Sequence, residues 1–228
     1  AFFLTLRGGG DRLSFPSGRL ARAGFAWDGR DAVTPARLDP PASDAVWQRW
    51  QRPLRDVEKA ALLTPRLAWQ RIAGGDEPML VLEDDAWLMQ GAAELLDRAA
   101  GLDGIDHLSL ETRGRRKILG APHPGLPAIR RLWLDRTGAA AYLLWPQGAR
   151  RMIARAALGP ALADAVPVET PGLRRWQADP ALAIQIDMAG HYGLVPPMAV
   201  ASSISTAPRP DRGGMRFRLR RIGAQLAM

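Results

Sequence analysis

The chain has 228 residues, 47% of them apolar, which suits one packed α/β domain and argues against disorder. With no cysteine there are no disulfides, no thiolate nucleophile and no cysteine-built zinc site, and His107, His123 and His191 are spaced too widely to build a metal site of their own. The formal charge of +8 comes almost wholly from arginine, since lysine occurs only at Lys59 and Lys117; it favours nucleotide phosphates, acidic glycans, anionic lipid or nucleic acid without choosing among them.

Residues 2–6 are expected as a first strand, ending at the turn Gly8-Gly9-Gly10. These glycines fit a loop that approaches a phosphate and fit a plain turn equally well. Residues 13–23 read as a short helix stopped by Gly24, and residues 25–27 as a second strand. After a loop over 35–41, Leu54, Val57, Ala61, Ala68 and Ile72 recur at three- and four-residue steps from about Trp47 onward, the period of a helix. Thr64-Pro65 reads as an N-cap followed by proline at the first helical position, which divides that helix in two. Trp69 is expected in the core.

The most informative stretch is residues 79–88, MLVLEDDAWL. Met79, Leu80, Val81 and Leu82 form a short apolar run, bounded before it by Gly74, Gly75 and Pro78, as a buried parallel strand does. It stops at three consecutive carboxylates, Glu83, Asp84 and Asp85. Ligands of open α/β sheets sit beyond the carboxyl ends of the strands. Adjacent acids repel one another unless a cation or hydrogen-bond donors offset them, and a hard divalent ion suits carboxylate oxygens. A solvated turn whose acids cap the following helix is the competing explanation.

Residues 91–100 read as a helix stopped by Gly101, 107–110 as a strand, 113–117 (RGRRK) as a basic loop, 122–127 as a further loop and 129–134 as a strand. Residues 137–145 lead through small side chains into an apolar strand, and Pro146 starts a helix through Ala157. The alternation predicts an α/β/α sandwich with a mostly parallel central sheet, one domain over 1–205 with a basic tail over 206–228. Val166-Pro167-Val168 places the carboxylate of Glu169 after a short apolar piece, and residues 193–200 suit a late edge strand broken by prolines. In the tail, Phe217, Leu219 and Ile222 alternate with arginines, a pattern suited to an anionic membrane surface as well as to a tail without a partner. No apolar run approaches the roughly 18 residues of a membrane span, and the first residues carry no signal-peptide pattern. A nucleic-acid binder is disfavoured because the basic residues lack an aromatic stacking platform or a known motif.

Several of these stretches, in this order, resemble the family 25 glycosyltransferases, the lipopolysaccharide-biosynthesis galactosyltransferase type related to collagen galactosyltransferases. AFFLTLRGGGDR is similar to the opening strand with its Asp-Arg, GFAWDGRDAV to the second strand, and LVLEDDAWL to the Glu-Asp-Asp signature. EKAALLTPRLAWQRI keeps the spacing of a family helix with Glu58 and Trp69, but Ala60-Ala61 replaces its Gly-Cys and Thr64-Pro65 its Ser-His. TGAAAYLLWPQGARRMI, VPVE and PPMAVASSIS resemble later segments.

The resemblance implies a GT-A-like nucleotide-sugar-binding fold, a UDP-sugar donor, often UDP-galactose, and Mn²⁺ or Mg²⁺. It implies Asp84 and Asp85 on the metal, with Glu83 or Asp84 accepting hydrogen bonds from donor hydroxyls. Arg12 and Tyr142 would bind the nucleotide-sugar, and Glu169, with Asp164 and Asp187 behind it, would be the general base of an inverting transfer. The acceptor would be an oligosaccharide or lipid-linked glycan, and the location cytoplasmic, including the inner face of the inner membrane. Two rivals stand beside this: a silent glycosyltransferase-like binding module, motivated by the missing Ser-His, and a metal-dependent phosphoryl or nucleotidyl transferase.

Overall fold

The computed structural model describes residues 2–5, 28–135, 138–197 and 214–226. Its strands are β1 (Phe2–Thr5), β2 (Asp28–Asp31), β3 (Met79–Glu83), β4 (Ala86–Leu88), β5 (His107–Ser109), β6 (Ile118–His123), β7 (Leu126–Leu134), β8 (Ala141–Leu144), β9 (Arg175–Ala178) and β10 (Ala183–Gln185). Its α-helices are α1 (Asp56–Ala73), α2 (Ala92–Ala100), α3 (Pro146–Leu158), α4 (Ala165–Glu169) and α5 (Met215–Leu226).

Eight strands form one sheet in the order β2-β1-β3-β8-β5-β9-β7-β6, and β4 pairs with β10 in a separate antiparallel ribbon. β1 is parallel to β2 and β3, and β9 follows β5; β8 runs against both β3 and β5, and β7 against β9 and β6. Only β7 and β8 oppose the common direction, but each lies between two strands running the other way, so four of the seven pairings are antiparallel: the expected α/β class holds and the sheet is mixed.

Alternate residues of β3 explain its unbroken apolar run. Val81 faces Tyr142, Leu144, the α1 residues Trp69 and Ile72 and the α3 residue Met152, while Leu80 and Leu82 face Leu108, Leu143 and the α2 residues Leu95 and Leu96. A strand covered on both faces has no polar side to show. No helix among the described residues is long and apolar enough to cross a membrane.

Several expectations need correction. α1 is one helix that runs through Pro65. Proline deletes one N–H and crowds the preceding turn, but Leu62, Leu63, Ala68 and Trp69 are all buried on either side of it. The Thr64 hydroxyl donates to the Ala60 carbonyl at 2.8 Å and accepts the Val33 N–H at 3.0 Å, so it anchors a neighbouring loop instead of capping a second helix. At the start of α1, Glu58 accepts from the backbone of Arg55 at 2.9 Å and from the guanidinium of Arg52 at 2.8 Å. Burial alone would raise its pKa, but those donors outweigh it and hold the carboxyl at about 2.

The acids of residues 83–85 lead into strand β4 before α2 begins, with Gly91 between them at φ 86°. The loop expected over 122–127 is the turn of the β6–β7 hairpin; Pro122 is tolerated because β6 is the sheet edge. The piece around Val166 is the short helix α4, and residues 193–197 carry no strand. β9 and β10 had no expectation attached to them. The Gly8-Gly10 turn, the helix over 13–23, the strand over 25–27 and residues 198–213 lie outside the described residues.

Candidate metal and donor site

The β4–β10 ribbon assembles the site. Its register puts Gln185 opposite Ala86, immediately after the acids, and the Ile186 N–H donates to the Asp85 carbonyl at 2.9 Å. The Gln185 side-chain amide therefore donates to Glu83 at 3.1 Å and to Asp85 at 3.2 Å. One neutral donor serves two carboxylates, and burial raises the pKa of both. Glu83 is pushed well above the usual carboxylate range by burial, then by the charges of Asp85, Glu111 and Asp84. Asp85 is raised to about 6 by burial and by Asp84, against the opposing donation from Gln185.

A third acid closes the floor. Glu111 follows β5 and is 1% exposed. Its Oε2 accepts the Ala140 N–H at 2.9 Å, and the Ala140 carbonyl in turn accepts the Glu83 N–H at 2.8 Å. Glu111 Oε1 has no hydrogen-bond partner among the described residues. Burial raises the Glu111 pKa to about 7, although the Ala140 N–H pulls it down. Gly138 permits this approach: at φ 119°, any Cβ there would stand 3.3 Å from Glu111 Oε2. Lys117 braces the surroundings, bonding Asp135 at 2.7 Å, the Glu111 carbonyl at 2.8 Å and Gln177 at 2.6 Å.

Toward solvent, Asp187 follows Gln185 by two residues, pairs with Arg113 at 3.1 Å and has its side chain 41% exposed. Its charge is one of those that raise Asp85.

Carboxylate oxygens are the ligands that a hard divalent ion takes. Among the described residues no three acid or histidine side chains are grouped closely enough to hold an ion unaided. Magnesium-type ions are commonly held by one or two carboxylates, with substrate phosphates and water completing the shell. Carboxylates raised by burial and by mutual repulsion gain most from such a charge.

The residues singled out in the sequence divide into groups. Glu83 and Asp85 come together, with Asp84 in the turn between them. Tyr142 is 1% exposed, its hydroxyl accepts the Trp69 indole N–H at 2.8 Å, and its ring stacks on His107 at 4.9 Å. Glu169 stands apart, at the end of α4, where its carboxylate accepts from Arg155 and, at 3.3 Å, from Gln51. It lines a cleft of about 730 Å³ with Trp50, Leu158, Arg175 and Arg220. Asp164, at the other end of α4, is the residue of that segment whose charge reaches Glu83. Arg12 lies outside the described residues. In the basic loop, Arg113 and Lys117 are committed to Asp187 and Asp135. Sequence reasoning missed Glu111 and Gln185. The first could have been found as an acid directly after an apolar strand, like Glu83; the second had no local signal.

Fold and site together define an α/β protein with a carboxylate-lined candidate ligand site at the carboxyl end of a central strand. No family model matches the chain. No curated protein matches it in sequence. Among solved structures it is similar to a Drosophila beta-1,4-galactosyltransferase 7 mutant in complex with manganese, UDP-Gal and xylobiose, at 12% identity over 94% of this chain and 82% of that one, with a TM-score of 0.41.

Proposed function

We propose that this chain is a divalent-metal-dependent glycosyltransferase of the family 25 type. It moves a hexose, galactose by the resemblance, from a UDP-sugar to a bacterial surface glycan such as lipopolysaccharide, with inversion. The observation that carries this reading is the meeting of Glu83 and Asp85 on the single amide of Gln185, where both pKa values are raised and a cation would offset the charge. When bound there, Mn²⁺ or Mg²⁺ would supply Lewis-acid neutralisation of charge on a diphosphate. Asp84 and Asp85 would hold the ion, and Glu83, deeper in the site, would accept hydrogen bonds from ribose or sugar hydroxyls.

Inversion needs a base on the acceptor side of the sugar. We give that role to Asp187 rather than Glu169. Asp187 is solvent-facing and electrostatically coupled to Asp85, and Arg113 orients it. Glu169 is instead bound to Arg155 in the neighbouring cleft.

A titration of UDP-sugar with and without Mn²⁺, followed by an assay of released UDP, tests the proposal. Metal-dependent binding with UDP release supports it; release of phosphate or pyrophosphate points to a phosphoryl or nucleotidyl transferase. The second reading, a binding module without turnover, is favoured by one observation. At the place of the family's Ser-His, Thr64 is 8% exposed with its hydroxyl already bonded twice, and Pro65 has no polar side chain. Binding without any product release would favour that reading.

A further inference from the structure

Helix α5 is built the wrong way out for a helix that merely packs on a protein. Met215, Leu219 and Ile222 recur at four- and three-residue steps and therefore share one stripe. That stripe faces solvent, with exposures of 67%, 63% and 53%. The helix is fixed to the body from its opposite side: Phe217 is 3% exposed, Arg216 donates to the Gln48 side chain at 3.0 Å, and Arg220 donates to the Gln48 carbonyl. Arg218 and Arg221, both exposed, flank the other edge of the stripe, and α5 contains no acidic residue. Leu158, 75% exposed, lines the same cleft as Arg220 and brings another apolar side chain beside the helix.

An apolar ridge between arginines matches the interface of an anionic bilayer, where acyl chains take the ridge and headgroup phosphates take the guanidinium groups. We propose that α5 is an interfacial helix that lays Met215, Leu219 and Ile222 into the headgroup boundary of an anionic lipid surface. The inference does not rest on the glycosyl-transfer reading. Phe217 and the Gln48 contacts hold the body against the side of α5 away from the lipid, so docking leaves the fold unchanged.

The test is co-sedimentation of the full chain with vesicles of phosphatidylcholine alone and of phosphatidylcholine mixed with phosphatidylglycerol, for wild type, L219S/I222S and R218E/R221E. The proposal expects retention on the anionic vesicles only, weakening as salt is raised. It expects a loss of about tenfold or more for L219S/I222S and of about twenty-fold or more for R218E/R221E. Both variants should keep the melting temperature of wild type, which separates failure of docking from failure of the fold. Equal retention on neutral vesicles, no retention on either, or wild-type retention by both variants would overturn it. So would self-association of wild type that disappears in L219S/I222S, which would make the ridge a contact between copies of this chain.

Discussion

Glu111 gives one carboxylate oxygen to the Ala140 N–H at 2.9 Å and leaves the other without a partner among the described residues. Because Ala140 also receives the Glu83 N–H, this acid sets the height of the strand end that carries the candidate site. Its position is electrostatically unfavourable, since burial raises its pKa.

Glu111→Gln tests that cost. The folded pKa, raised to about 7, exceeds the ordinary value of 4.5. The contribution of Glu111 to stability is therefore most favourable below pH 4.5 and is lost as pH rises to about 7. The variant should be more stable than wild type at pH 8, by on the order of 3 kcal/mol at most, with the difference shrinking toward pH 5. Urea unfolding at the two pH values measures it; a pH-independent difference would contradict the burial of a charge here.

Tyr142→Phe separates core from site. Removing the hydroxyl leaves the buried Trp69 indole N–H without its acceptor, which costs about 1–3 kcal/mol. The melting temperature should fall while UDP affinity stays unchanged. A loss of UDP affinity without a loss of stability would return Tyr142 to the ligand.

The two candidate bases make opposite predictions. Asp187→Asn should lower kcat by about a hundredfold or more with donor affinity intact. Glu169→Gln should leave kcat within a few-fold and instead loosen the packing of α4 on α3, by losing the Arg155 pair. Steady-state UDP release at saturating donor distinguishes them, and a reversed pattern would restore Glu169 as the base.

How legible all this was in the sequence depended on how local each cause is. β3 and its acids were plain, because a strand buried on both faces is a continuous apolar run and its end is marked by charge. α1 was recognised but wrongly divided, because Pro65 is a strong local signal that the burial of Leu62, Leu63 and Trp69 overrides. The β6–β7 hairpin was hidden by Gly120 and Pro122. Gly120 is there because a Cβ would run into the Trp133 indole, a relation visible only once the strands are paired. Gln185 was illegible for the same reason. Its strand is three residues long, and it meets Glu83 and Asp85 across a hundred residues of chain through the β4–β10 register.

Calorimetric titration of UDP into wild type and Asp85→Ala, each with and without Mn²⁺, tests the central claim most directly. Wild type should bind UDP about tenfold or more tightly with the ion present, a difference of about 1.4 kcal/mol or more. The variant, folded by its melting transition, should show one weak affinity in both conditions. Contradiction would come from a wild type whose UDP affinity ignores Mn²⁺, or from an Asp85→Ala protein that keeps the full Mn²⁺ enhancement.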